Sequence, residues 1–164
     1  MELSLKSTVL FLSLLGTGLT AGLCFTWSNA ITSGIGRLDN LTFLESFQAM
    51  NRAIINPNFL IVFFGPVILL FLNVYLSRNE NPAVFWVFFS AAILFFVGIG
   101  MVTVFKNVPL NETLDKTILE AMTELELSDL RKSFERPWNR WHWVRTLTSF
   151  ISFSLLLIRL LFIK

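Results

Sequence analysis

The sequence is poor in charge. Asp, Glu, Lys and Arg make up 15% of its 164 residues, against about 25% in an ordinary soluble domain. The charges are also segregated: long windows hold almost none, and residues 106–140 hold most. This excludes an ordinary soluble domain and points to a polytopic membrane protein. Cysteine is nearly absent too. With Cys24 alone there is no internal disulfide and no CxxC pair for thiol redox chemistry, so Cys24 reads as a small core residue. Histidine is limited to His142, and the apolar windows carry no carboxylate, so three protein ligands for a metal cannot be assembled. Haem ligation would lack an attachment motif and a second ligand. No Lys/Arg block stands out. The net charge of +2 and pI near 9.0 come from basic residues interleaved with acids, which excludes a nucleic-acid footprint. Nor are there alternating ten-residue segments of the kind a membrane β-barrel needs.

What is present is apolar: 54% hydrophobic residues, eighteen phenylalanines and a mean hydropathy of +0.67. Four windows are long enough to cross about 30 Å of hydrocarbon as helices. They lie near residues 8–28, 58–76, 82–105 and 143–163. The expectation is one all-α membrane domain over residues 1–164, with four transmembrane helices and two amphipathic interfacial helical loops on one side. The first window resembles a signal peptide, with Ser28-Asn29-Ala30 as a small-x-small site. Its apolar run of about 19 residues exceeds the usual signal core of about 7–15, so a retained span is expected. The link 77-SRNENP-82 makes spans two and three an antiparallel hairpin.

The other two connections are long. In 41-LTFLESFQAMNRAII-55, helical spacing puts Phe43, Leu44, Phe47, Met50, Ile54 and Ile55 on one face, with Asn51 inside the apolar arc. A buried asparagine needs partners, so Asn51 is either a structural hub or a site residue. In 107-NVPLN-111, Pro109 should end or bend the third span, clustering Thr103, Asn107 and Asn111 at its mouth. Leu114, Ile118, Met122 and Leu125 then suggest an amphipathic interfacial helix. A break near Leu127-Ser128 should precede a short helix reaching Arg136-Pro137.

The stretch 138-WNRWHWVRT-146 leads into the fourth span. On a helix, Trp138, Asn139, His142, Arg145, Thr146, Ser149 and Ser152 fall within an arc of about 140°. Trp143, Val144, Leu147 and Phe150 lie opposite, and Trp141 and Trp143 fit an interfacial aromatic belt. Lipid would penalise the polar stripe, so it should face the bundle interior. His142 suits proton transfer, because imidazole titrates near neutrality. It can equally be a packed histidine bonded to a backbone carbonyl, and Arg145 a headgroup anchor.

The set 51-NRAIINP-57, 103-TVFKNVPLN-111 and 138-WNRWHWVRT-146, spread over four predicted spans, resembles the anthrone oxygenase-like family of small integral membrane proteins. That resemblance runs from about Leu12 to Leu160. It implies a four-helix membrane fold and oxidation of an anthrone to an anthraquinone by molecular oxygen, without bound metal or flavin. The family positions fall on Asn51, Asn107, Asn111, Trp138, Asn139, His142, Arg145 and Thr146. The roles that follow are His142 as base, with Arg145 and Asn107 or Asn111 stabilising an oxyanion. Trp138 stacks on an apolar aromatic substrate, and Asn51, Asn139 and Thr146 line its site. No cofactor and no metal is expected.

A second reading is a non-enzymatic four-helix membrane protein that binds a lipid or a partner protein. Its polar stripe would be glue between helices, worth about 0.6 kcal/mol per hydrogen bond. A transporter has less support, since repeats and broken helix pairs are not visible. The expected location is a membrane, multi-pass, the cell or inner membrane in a bacterium. The Lys/Arg excess on the side of the long connections favours placing them in the cytoplasm. Gly16, Gly18 and Gly22 permit a close helix contact within one chain or between two copies, which leaves a homo-oligomer open.

Overall fold

A computed structural model describes residues 4–163, and among them there is helix and connecting turn but no strand. Five helices carry the fold: α1 Leu5–Ile35, α2 Asn40–Ile54, α3 Pro57–Leu76, α4 Pro82–Asp115 and α5 Glu124–Phe162. All but α2 are long and apolar enough to cross a membrane.

The helix starts follow local chemistry. Asp39 caps α2 by accepting from the Thr42 amide at 3.0 Å. Asn56 and Asn81 cap α3 and α4, each followed by a proline at the first turn, where a missing N–H is tolerated. Thr123 and Glu126 form a reciprocal capping box at the start of α5.

Three of the expected boundaries move. Helix α1 continues past residue 28 through a π-helical turn, Trp27–Ile31, to Ile35. Helix α4 passes through Pro109 instead of ending at it. The π-helical stretch Thr103–Asn107 leads into a renewed α-helical segment that starts at Val108, and Pro109 occupies its first turn. There its absent N–H disrupts least. The expected break near Leu127-Ser128 is also absent, because α5 runs unbroken from Glu124 and contains Pro137. Packing supports the continuous helix there: Phe134 and Trp138, on either side of the proline, are both buried against Phe47 of α2. The expected amphipathic helix over 114–125 is replaced by a short 3₁₀ turn, Leu119–Ala121, between the ends of α4 and α5. Its apolar residues split accordingly, with Leu114 and Leu119 buried and Ile118 and Leu125 exposed.

The four long helices pack with α1 against α3 and α5, and α4 against α3 and α5. Close approach uses glycine at two points. Gly16 faces the Pro66 ring, where a Cβ would sit 2.7 Å from Cγ, and Gly98 leaves no room for any Cβ beside Thr148. Gly18 lies against Phe153, so of Gly16, Gly18 and Gly22 two serve contacts within the chain. Buried polar side chains bridge the same helices: Asn73 donates to Ser13 Oγ at 2.8 Å, and Ser152 to the Ala91 carbonyl at 2.8 Å.

Two apolar clusters result. One, with Phe63, Leu70, Phe88, Phe95 and Leu156, fills the middle and far end of the bundle. The other, with Trp27, Phe43, Phe47, Leu114, Phe134 and Trp138, docks α2 across the near end. Arg131 fastens this end by donating to the carbonyls of Gly36 (2.7 Å) and Leu38 (2.8 Å), which close α1. The amphipathic reading of α2 holds for Phe43, Leu44 and Phe47. Ile55 lies beyond the helix end and is exposed. Outside, apolar side chains such as Phe11, Ile61, Ile68, Trp86, Phe105, Trp143 and Phe150 are bare, as hydrocarbon contact requires.

Candidate active site

The polar arc of α5 turns inward as its periodicity dictates. Trp138, His142, Arg145, Thr146, Ser149 and Ser152 are buried, while Trp143, Leu147 and Phe150 are exposed. Where this arc meets the π turn of α1, the segment Thr103–Asp115 of α4 and the start of α3, a cavity of about 370 Å³ opens under α2. Its wall is mostly apolar, with Phe59, Phe63, Phe64, Ile54 and Leu23. Its polar lining comes from Asn51, Thr103, Asn111, His142 and Arg145, and its rim carries Arg52 and Asp115, which pair at 2.6 Å.

Within the wall, Arg145 Nη2 lies 2.6 Å from His142 Nδ1, and His142 Nε2 lies 3.0 Å from the Cys24 carbonyl oxygen. A guanidinium only donates, so Nδ1 must be the accepting nitrogen and Nε2 must carry the proton given to Cys24. The backbone contact foreseen for His142 is therefore present, and its lone pair points at Arg145. Arg145 Nη1 also reaches Thr103 Oγ1 at 3.4 Å, and its guanidinium carbon sits 5.2 Å from the Trp138 ring centre. No carboxylate pairs with Arg145 among the described residues.

Trp138 stacks on the His142 ring at 4.8 Å with the planes 13° apart, and meets Trp27 at 5.7 Å. Two asparagines hold it: Trp138 Nε1 donates to Asn111 Oδ1 at 2.8 Å, and Asn107 Nδ2 donates to the Trp138 carbonyl at 3.3 Å. The residues singled out from the sequence therefore separate. Asn51, Asn111, Trp138, His142 and Arg145 share the cavity wall. Asn107 is buried behind it, spent on the backbone of α5, and so is not placed to meet a ligand oxyanion. Thr146 is bonded to Ser28 Oγ at 2.8 Å and to the His142 carbonyl at 3.0 Å, which fixes the histidine's helix to α1. Asn139 is half-buried and off the wall.

Sequence reasoning missed Trp27 and the Cys24 carbonyl. A signal was available: Ser13, Thr17, Thr20, Cys24 and Trp27 recur every three or four residues, and all are buried on one face of α1. No three His, Cys, Asp or Glu side chains come together as a metal site among the described residues.

An all-helical chain whose four long apolar helices enclose a cavity with an imidazole–guanidinium pair in its wall is the class that fold and site define. The sequence profile of the family described as anthrone oxygenase matches residues 58–155, more than half of the chain, and the chain belongs to that family. The matched range takes in His142, Arg145, Trp138, Asn107 and Asn111 and leaves out Asn51. No curated protein and no solved structure matches it.

Proposed function

We propose that this protein is a cofactor-independent oxygenase that oxidises the activated methylene of a fused-ring ketone, such as an anthrone, or a quinol-like substrate. The observation that carries the reading is the His142–Arg145 pair in the wall of a mostly apolar cavity. An anthrone methylene is acidic because its anion is delocalised over two rings and the ketone oxygen. Catalysis then asks for a base, a fixed positive group for the developing oxyanion, and a dry aromatic pocket. His142, Arg145 and the Phe59–Phe63–Trp138 wall supply these three.

The reaction balances without a further reductant. His142 Nδ1 takes one methylene proton, and Arg145 holds the negative charge on the ketone oxygen. For that, the guanidinium passes its hydrogen bond from Nδ1 to the substrate oxygen, so the base is freed as the substrate binds. The electron-rich anion gives its electrons to O₂, and a C–O bond forms. Protonation from His142 yields a hydroperoxide at the former methylene. Loss of the remaining C–H proton breaks the O–O bond, forms the new carbonyl and releases hydroxide, which leaves as water. One O₂ becomes one carbonyl oxygen and one water. Trp138 supports the imidazole by stacking, Asn111 and Asn107 fix Trp138, and Thr146 fixes the helix. In this reading the protein lies in a membrane as a multi-pass protein with its long connections cytoplasmic. Its partners are an apolar aromatic small molecule and O₂.

The test is incubation of purified protein with anthrone under ¹⁸O₂. One ¹⁸O atom in the new carbonyl, formed faster than in protein-free controls, supports the proposal. Product formed no faster than by autoxidation removes it and favours the lipid- or partner-binding reading.

A further inference from the structure

Five buried side-chain atoms lack any hydrogen-bond partner among the described residues. Three of them belong to residues lining the cavity, and all three are N–H donors: Trp27 Nε1, Asn51 Nδ2 and Arg145 Nε. These residues are deeply set, with Asn51 and Arg145 each 7% exposed and Trp27 8%. Asn51 can turn its amide and present either end, whereas indole and guanidinium have only donors to offer. Buried donors left unmet are destabilising, and a buried cation without a counter-charge more so.

The acceptors nearby do not answer them. His142 Nδ1 is already taken by Arg145. At the rim Asp115 is paired with Arg52 at 2.6 Å, and Glu112 with Lys116 at 3.4 Å. The wall therefore has an excess of donors and one uncompensated positive charge, facing an apolar volume of about 370 Å³.

We infer that this cavity binds its ligand as an anion in the resting complex: an aromatic weak acid, phenol or enol, whose ionised oxygen is held at Arg145 with Trp27 and Asn51 as additional donors. The inference rests on the cavity being the substrate site of the proposed function. It goes beyond it, because ionisation is then driven by binding itself rather than by transfer of a methylene proton to His142. It also extends the ligand class to stable aromatic acids that have no methylene to oxidise.

The probe is 2-naphthol, whose anion absorbs at longer wavelength than its neutral form and which cannot undergo the methylene oxidation. It is titrated against the full-length protein in zwitterionic lipid nanodiscs, with empty nanodiscs as reference. A cation at contact distance lowers the pH at which a bound acid ionises by about 1–3 units, and that downward shift is the expected result. Arg145→Gln should abolish the shift, Asn51→Leu should shrink it while leaving the cation in place, and Arg145→Lys should retain most of it. The lysine variant keeps the test decisive if the glutamine variant does not fold. Naphthol that ionises as in empty nanodiscs, that shows no protein-dependent binding, or that stays shifted in a folded Arg145→Gln overturns the inference. A shifted naphthol with no anthrone oxidation would leave the inference standing and sink the oxygenase reading. Oxidation with unshifted naphthol would do the reverse.

Discussion

Arg145 Nη2 and His142 Nδ1 lie 2.6 Å apart, three residues along the same face of α5. The contact joins the two polar groups that most need a reason to be in a membrane-spanning helix. It sets the tautomer of the histidine, and it masks the histidine's lone pair until something else accepts from the guanidinium. A charge placed this way is expensive, which separates its stability effect from its functional one.

Replacing Arg145 by Met removes a buried cation that has no carboxylate partner among the described residues and keeps most of the side-chain volume. Substituting an apolar residue for buried charge is often neutral or stabilising, by about 1–4 kcal/mol. Thermal unfolding of Arg145→Met in detergent should therefore give a melting temperature equal to or above that of the wild type, while anthrone oxidation is lost. A large drop in melting temperature would instead make Arg145 a structural tie between α5 and Thr103.

Packing of α4 on α5 makes a second prediction. Gly98 and Thr148 meet so closely that no Cβ fits at position 98. Gly98→Ala should destabilise the protein by about 1–3 kcal/mol, despite the better helix propensity of alanine. Thr148→Gly should recover part of that loss. Denaturation of the two single variants and the double variant should show a coupling of about 0.5–3 kcal/mol, and simple additivity would argue against this contact.

Much of this arrangement is legible in the sequence, for a physical reason. Side-chain direction on an α-helix repeats every 3.6 residues, so the inward set from Trp138 to Ser152 follows from spacing alone. The unreadable parts are those where the helix departs from that period. A π-helical turn accommodates an extra residue and rotates everything after it. In α4 such a stretch carries the chain through Pro109, which local rules treat as a stop. At the two ends of that stretch, Thr103 lies on the cavity wall and Asn107 is turned to the backbone of α5. In α5, tertiary packing of Phe134 and Trp138 overrides the breaking tendency of Pro137. The spacing puts Asn107 and Asn111 near one another on α4, but their separate contacts with Trp138 are not readable from it. Only the fold brings Trp138 to both of them.

The roof of the cavity has its own pH dependence. Asp39, at the start of α2, accepts from the Thr42 amide and hydroxyl, which lowers its carboxyl below the ordinary value of 3.8. A depressed folded-state value means stability that is present above the ordinary value and lost as pH falls through the lowered one. Protection of α2 amides, taken relative to the intrinsic exchange rate at each pH, should therefore fall on acidification below about pH 4 in the wild type. In Asp39→Asn, which keeps an acceptor but cannot titrate, that acid step should be absent. An identical acid response in both proteins would assign it to another group.

Oxygen uptake tests the central claim most directly. Detergent-purified wild type and His142→Ala, with folding checked by their melting temperatures, would be given anthrone and compared after subtraction of autoxidation. The account predicts uptake by the wild type with one anthraquinone formed per O₂, and a fall of at least about 10²-fold in His142→Ala, the scale on which a positioned general base contributes. A folded His142→Ala that consumes oxygen and forms anthraquinone at the wild-type rate would contradict it.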